Sequence, residues 1–140
     1  MTNETPVISL WMPWANWVSL GWKTVETRTH RRFKSLEGKR IGIHASLKWD
    51  NDALTLARPF LDEEKRIRTQ SFSRIGGAVI CTAFIEQHKM CDESESRSAL
   101  IDCGSTLRYG LILSNVEIIE AIPCKGKQGI FYIPQIGGRQ

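Results

Sequence analysis

The segment that most limits the possible folds is apolar on both faces of an extended chain. Residues 76–86 have the sequence GGAVICTAFIE, in which apolar side chains occupy both the odd and the even positions. Successive side chains of a strand point to opposite faces, so a strand of this kind has to be covered on both sides. The segment therefore predicts a strand in the middle of a sheet or of a barrel wall.

Other patterned segments surround this strand in the sequence. Helices are predicted after Pro13, from Asp50 or Asn51 to about Arg58, and over the DEEKRI segment that follows. Residues 87–106 have the weakest pattern and predict a surface excursion with a short helix near 97–101. Alternating apolar and β-branched residues predict further strands at 7–12, 24–28, 40–46, 107–119 and 130–133.

These elements favour one fold class. Strands outnumber helices and do not alternate with them, so a doubly wound α/β sheet fits poorly. We expect a mainly β fold with α-helices (α+β), in the form of a small closed β-barrel of about five to six strands with helices packed against it. A length of 140 residues predicts a single domain over 1–140. Residues 1–5 and 134–140 are expected to be flexible.

The ends and the cysteines indicate the cellular setting. The first residues include no basic segment followed by a long apolar one, so we predict no signal peptide, no membrane association and a cytoplasmic location. The four cysteines form no C-x-x-C pair and are expected to be free thiols. A zinc site of His88 and Cys91 with Cys103 or Cys124 would match no compact zinc motif. The sequence supports neither a metal nor a cofactor.

Positive charge is concentrated in two places. The chain has a net charge of +4 and a pI near 9.0, which favours a polyanionic partner over an acidic one. Arg31 belongs to a basic run that follows Arg28, and Lys125 and Lys127 lie in a KGKQG segment near the end. Glycines let such a loop approach a ligand closely, and its lysines suit phosphate contact. The alternative in both places is a solvated basic surface or hairpin turn.

The richest stretch is residues 11–28, WMPWANWVSLGWKTVETR, which holds four of the five tryptophans. On a strand Glu26 and Arg28 share a face, and Lys23 follows a turn, so it need not obey strand alternation. In a partly buried cleft Lys23 and Glu26 would stabilise each other's charge, and in an enzyme they could exchange a proton. The alternative is an ion pair that closes the barrel and does no chemistry.

Three other side chains are candidates for ligand contact. His44 and Ser46 share one face of a predicted strand with Gly42, which would leave room for a ligand. A lone strand histidine is otherwise a satisfied core or rim residue. Trp14 opens the helix after Pro13 and could stack on a base, although a place in the core explains it equally well.

The motifs together resemble a known family. SLWMPWA, GWKTVETR, IGIHAS and LSNVEIIEAIPCKGKQGIF occur in the order and at the spacing of the ASCH domain, and G-x-K-T-x-E-x-R is the most specific of them. The resemblance implies a PUA-like β-barrel with a cleft for RNA or a nucleotide-like ligand. Carried onto this chain, the cleft residues would be Lys23, Glu26 and Arg28 with His44 and Ser46. Some stand-alone members are enzymes, including an amidohydrolase of acetylated cytidine and a ribonuclease.

Two positions depart from the family pattern. Met12 stands before the proline where the family often has glutamine. In the amidohydrolase branch the position of Glu26 holds a threonine nucleophile, and Thr24 and Thr27 are out of register with it. The threonine mechanism of that branch is therefore not expected here.

Three hypotheses follow for the function. The first is binding of RNA, single-stranded for preference, or of a nucleotide-like ligand in a cationic cleft, with a role in RNA metabolism or regulation. The second is a small metal-independent hydrolase, an acetylcytidine-type amidohydrolase or a ribonuclease, in which Lys23 and Glu26 are catalytic. The third is a protein-interaction module with a vestigial cleft. The candidate ligand-binding residues are Trp14, Lys23, Glu26, Arg28, Arg31, His44, Ser46, Lys125 and Lys127.

Overall fold

A computed structural model describes residues 3–136, within which one curled six-stranded sheet carries the helices. The strands are β1 (Glu4–Met12), β2 (Val25–Arg28), β3 (Arg40–Trp49), β4 (Ala78–Cys91), β5 (Arg108–Pro123) and β6 (Phe131–Pro134). The α-helices are α1 (Trp14–Ser19), α2 (Ala53–Ala57), α3 (Glu63–Gln70) and α4 (Ser96–Ala99). Short 3₁₀ turns occupy Lys34–Leu36, Arg58–Phe60 and Glu93–Glu95.

The strand order is β2-β5-β4-β3-β1-β6, and β1 and β3 are parallel while all other neighbours are antiparallel. The doubly apolar segment becomes β4, which lies between β3 and β5 as expected. The predicted mainly β fold with helices is confirmed. The sheet is a half-barrel rather than a closed barrel, because the end strands β2 and β6 do not pair with each other in residues 3–136.

Helix α1 packs between the sheet and the other helices. Its Ala15 and Val18 belong to the main core, which the inner faces of β1, β3, β4 and β5 complete. Trp17 points the other way into a second core with residues of α2 and the α4 end, and its indole Nε1 donates to Thr69 Oγ1 at 2.9 Å. Gly21 then ends the segment with a φ of +78°, a left-handed conformation that glycine adopts without strain.

Near both ends of the described chain, β1 pairs with β6. Glu4 and Thr5 pair with β6, and the backbone N–H of Gln135 donates to the carbonyl of Asn3. Residues 1–2 and 137–140 lie outside the described structure, and the flexibility predicted for 1–5 and 134–140 stays a prediction, as does the single domain. The four cysteines are free thiols, as predicted. No helix within 3–136 combines the length and apolarity that a membrane span requires.

Gly110 of β5 is packed closely against side chains of β4 and β2. A Cβ there would overlap Cys91 Sγ and would lie 3.0 Å from Val25 Cγ1. We expect Gly110→Ala to lower the free energy of unfolding by about 1–3 kcal/mol, because overpacking a filled site forces neighbours to shift. Adding Cys91→Ala should recover part of that loss, and urea unfolding of the two single variants and the double variant measures the coupling. Strictly additive losses would contradict the contact.

Candidate functional site

Two connected cavities lie on one side of the sheet. The smaller, here the inner cleft, has a volume of about 310 Å³ and is lined by residues that include Trp14, Lys23, Glu26, Ile101 and Arg108. The larger, here the basic groove, has a volume of about 1130 Å³ and is lined by residues of β3 and of the 124–130 loop. Ser9, Trp11 and Arg28 line both cavities, so they form one continuous depression.

Lys23 lies at the base of the inner cleft and is only 2% exposed. Its Nζ donates to the carbonyl of Ala99 at 2.6 Å and lies 3.6 Å from Glu26 Oε1. Burial lowers the pKa of Lys23 below its usual range, although the negative charge of Glu26 acts in the opposite direction. Lys23 precedes β2, so its side chain does not follow the alternation of side chains along that strand. It lines the same cavity as Glu26.

Glu26 joins the two cations of the cleft. Its Oε2 lies 3.1 Å from Arg28 Nε, an ion pair without hydrogen-bond alignment, since Arg28 Nε has no hydrogen-bond partner within residues 3–136. Arg28 Nη2 donates to the carbonyl of Ser9 at 3.3 Å, and the guanidinium lies over the ring of Phe33. The three predicted signature residues therefore form one chain of charges from α4 to β1.

Two tryptophans line the inner cleft: Trp14 is held by other side chains, and Trp11 is exposed. Trp14 is half-buried, donates through Nε1 to Asp50 Oδ2 at 2.8 Å, and contacts Trp17 edge to face at 5.0 Å. It lines the inner cleft, so it has both the structural and the site position that the sequence left open. Trp11 is 48% exposed, lines both cavities, and has Lys48 Nζ 4.9 Å from its ring centroid.

His44 and Ser46 both line the basic groove, in different roles. His44 is 2% exposed and holds two partners, Ser9 Oγ at 2.7 Å from Nδ1 and the Cys124 carbonyl at 2.9 Å from Nε2. Ser46 accepts a hydrogen bond from the backbone N–H of Lys48. Gly42 offers no room for a ligand, because a Cβ there would already lie 3.2 Å from the side chains of Val7, Val79 and Ile136.

The basic groove carries a one-signed charge. Arg28, Arg32, Lys48, Lys125 and Lys127 line it, and no Asp or Glu of residues 3–136 does. Low-dielectric walls of one sign concentrate the field and attract anions. Both predicted loop lysines therefore lie at the cavity.

One predicted residue lies elsewhere. Arg31 is exposed and lies over the ring of Tyr109, 5.8 Å from its centroid, outside both cavities. Its neighbour Arg32 lines the groove instead. The chain turns through Arg32 and Phe33 into the 3₁₀ segment Lys34–Leu36. Neighbouring arginines therefore face different sides, and a run of basic residues alone does not reveal which one lines a cavity.

Sequence reasoning missed two further parts of the site. Ser9 was not a candidate, because only the parallel register of β1 with β3 brings it opposite His44. The 87–106 excursion supplies a wall of the inner cleft through Ile101 and the Ala99 carbonyl, and its residues 87–91 prolong β4. Within residues 3–136, no cluster of three or more His, Cys, Asp and Glu is placed to hold a metal ion.

The lowered pKa of Lys23 predicts a pH dependence of stability. Between that pKa and the usual value near 10.4 the unfolded chain binds more protons at this group than the folded chain does. The contribution of Lys23 to stability should therefore increase as pH rises through that window. Urea unfolding from about pH 7 to about pH 10 should show the wild type gaining stability relative to Lys23→Met. A pH-independent difference would contradict the lowered pKa.

Comparison with known proteins places the fold. Protein-family models and curated proteins give no match to the chain. Among solved structures, ASCH from Zymomonas mobilis is similar over 94% of this chain and 89% of its own, with 19% sequence identity and a TM-score of 0.60. Its serine-to-alanine variant gives 20% identity over the same shares and a TM-score of 0.58. Its tyrosine-to-phenylalanine variant gives 19% identity over 92% and 89%, also at 0.58.

The structural similarity, rather than the low sequence identity, establishes the fold, and this fold is the one that the sequence motifs imply. The structural similarity covers 94% of this chain, so it includes nearly all of the six-stranded sheet and its helices. The chain has the fold of an ASCH domain.

Proposed function

We propose that this chain is an ASCH-type binding protein for single-stranded RNA or a nucleotide-like ligand. A base or nucleoside would enter the inner cleft, and the phosphates would lie in the basic groove. The observation that carries the proposal is the continuity of the two cavities through Ser9, Trp11 and Arg28. One ligand can therefore occupy both.

The inner cleft suits a compact polar ring. Its volume of about 310 Å³ is near the lower end of ligand pockets. Glu26 and Asp50 offer acceptors, and Lys23, Arg28 and Arg108 offer donors. This mixture nearly balances in charge, so it favours hydrogen bonding to a neutral base over binding of a bare phosphate.

The basic groove suits the backbone of the same ligand. No carboxylate of the described chain lines it, and of its five cations Arg28 pairs with Glu26 of the inner cleft. Phosphate contacts by such cationic side chains supply most non-specific affinity for nucleic acid. Trp11 lies where the cavities meet and exposes 48% of its surface. Stacking of a base on such a ring is worth about 1–3 kcal/mol in single-strand binders.

The neighbouring arginines give a matched test. Arg32→Ala should weaken binding of a single-stranded RNA oligonucleotide and reduce the slope of log K against log salt by about 0.7, the value for one phosphate contact on a single strand. Arg31→Ala should change both much less, because Arg31 lies over Tyr109 outside the groove. Fluorescence anisotropy over a salt series measures both variants. Equal effects of the two, or binding that is insensitive to salt, would contradict the groove assignment.

The double variant Lys125→Ala/Lys127→Ala tests the 124–130 loop. It should reduce the slope of log K against log salt by about 1.4, which is the value for two phosphate contacts on a single strand. Lys39→Ala is the control, since Lys39 is equally exposed and lies outside both cavities. If no RNA or nucleotide bound at all, the remaining hypothesis would be an interaction module with a vestigial cleft.

A second candidate function rests on Lys23. A lysine whose pKa is lowered by burial, in contact with a carboxylate at a cavity, is a suitable proton-transfer pair. The pair would serve a metal-independent hydrolase acting on an acylated nucleoside or an RNA phosphodiester.

Glu26→Gln separates this candidate from binding alone. It keeps the size of the side chain and removes the charge, so turnover should fall by about 10²–10⁴-fold while the fold persists. Hydrolysis of acetylcytidine and cleavage of RNA are measured without added metal, with circular dichroism as the control for folding. Turnover that Glu26→Gln leaves unchanged would eliminate the pair as catalyst.

A further inference from the structure

The strands β1 and β3 bring a serine and a histidine into direct contact. Ser9 and His44 are register partners of the parallel pair, and Ser9 Oγ lies 2.7 Å from His44 Nδ1. The other ring nitrogen, Nε2, lies 2.9 Å from the carbonyl oxygen of Cys124. The imidazole of His44 therefore contacts a hydroxyl through one ring nitrogen and a carbonyl acceptor through the other.

The partners define where the imidazole proton resides. A carbonyl oxygen only accepts, so Nε2 carries the proton and donates to Cys124. In the neutral ring Nδ1 is then the acceptor for the hydroxyl of Ser9. This is the arrangement of an activated nucleophile, in which a base contacts the hydroxyl and a third group orients the base.

The surroundings hold the pair rigidly and leave the serine accessible. A Cβ on Gly126 would lie 2.7 Å from His44 Cε1 and 3.0 Å from Ser9 Oγ, so the loop backbone packs directly on the pair. Ser9 lines both cavities, whereas His44 is 2% exposed. Arg28 donates to the backbone carbonyl of Ser9 at 3.3 Å and lines the same two cavities as Ser9.

We propose that Ser9 is an acyl-accepting nucleophile and His44 its general base, acting on carboxylic esters with an anionic leaving group. Ser9 Oγ bonds to the carbonyl carbon as its proton passes to His44 Nδ1. The bond from that carbon to the leaving oxygen then breaks, and the proton moves from His44 to that oxygen. Water releases the acyl group by the reverse use of the same base. Arg28, which lines the same cavities as Ser9, is the cation available to stabilise the oxyanion of each step.

The groove selects the leaving group. Its five cations and its lack of carboxylates among the described residues favour an ester whose alcohol part carries a phosphate or a carboxylate. The proposal shares the basic groove with the function proposed above, but it depends on Ser9 and His44 and not on Lys23 or Glu26.

The probes are para-nitrophenyl acetate and the same ester with a carboxylate on its ring. Release of the phenol is followed by absorbance, and peptide mass mapping locates the acetyl group. We expect one acetyl group on the peptide that holds Ser9, formed faster from the carboxylated ester. Ser9→Ala should abolish it, and His44→Gln should slow it by about 100-fold. Ser114→Ala is the matched control, since Ser114 is a half-buried strand serine that donates to Glu86 away from both cavities.

A thiol provides a test that does not require loss of His44. In Ser9→Cys the new thiol would face the same imidazole, so iodoacetamide should alkylate it faster than the thiol of Ser114→Cys. The native thiols react slowly at neutral pH where burial raises their pKa, to about 12 for Cys81 and about 11 for Cys91. Circular dichroism confirms that each variant is folded.

Three results would overturn the proposal. They are phenol release by the folded wild type no faster than by Ser9→Ala and with no acetyl group on Ser9, acetylation or phenol release that His44→Gln leaves unchanged, and equal alkylation of the two cysteine variants. Affinity for RNA is measured separately by anisotropy. If the protein bound RNA with salt dependence but showed no acyl transfer to Ser9, the proposed RNA binding would stand and the esterase proposal would fall. If Ser9 were acylated but no RNA bound, the esterase proposal would stand and the proposed RNA binding would fall.

Discussion

The inner cleft depends on a chain of charges in which Lys23 and Glu26 are buried and Arg28 is partly exposed. Lys23 holds the carbonyl of Ala99 and faces Glu26, Glu26 faces Arg28, and Arg28 holds the carbonyl of Ser9. Removing these groups from water is costly, and their mutual attraction with the two carbonyl contacts offsets the cost. The chain of charges therefore ties the excursion after β4 to β2 and β1, and it places the walls of the cleft at a defined separation.

This arrangement separates two kinds of recognition. Within the cleft Glu26 already neutralises much of the field of Lys23 and Arg28, so what remains is a set of oriented donors and acceptors. No carboxylate of the described chain lines the groove, and Glu26 pairs only with Arg28 at its edge, so the field there is strong and less directional. A ligand with a neutral ring and a charged backbone matches that division, whereas an anion alone would need only the groove.

The local pattern predicted most of the fold, and one motif singled out three residues, Lys23, Glu26 and Arg28, that line the inner cleft. The apolar residues on both faces of β4 were enough to predict a central strand. The turn before β2 was enough to predict that Lys23 need not follow strand alternation, so that it could lie near Glu26. Contacts that depend on strand order or on the path of a loop could not be predicted from the sequence. Ser9 meets His44 only because β1 runs parallel to β3, and Arg32 replaces Arg31 only because of the path of an irregular loop. The same limit applied to closure of the sheet, which side-chain alternation does not determine.

The glycine of the basic loop links the parts of the site. Because a Cβ on Gly126 would lie 2.9 Å from His44 Nδ1, the loop sits as close to that ring as backbone can, and His44 holds it through the Cys124 carbonyl. The lysines on either side of Gly126 are therefore positioned by the same imidazole that contacts Ser9. An anion bound by Lys125 and Lys127 would thus act on a loop in contact with His44, and any chemistry at Ser9 would be coupled to occupation of the groove.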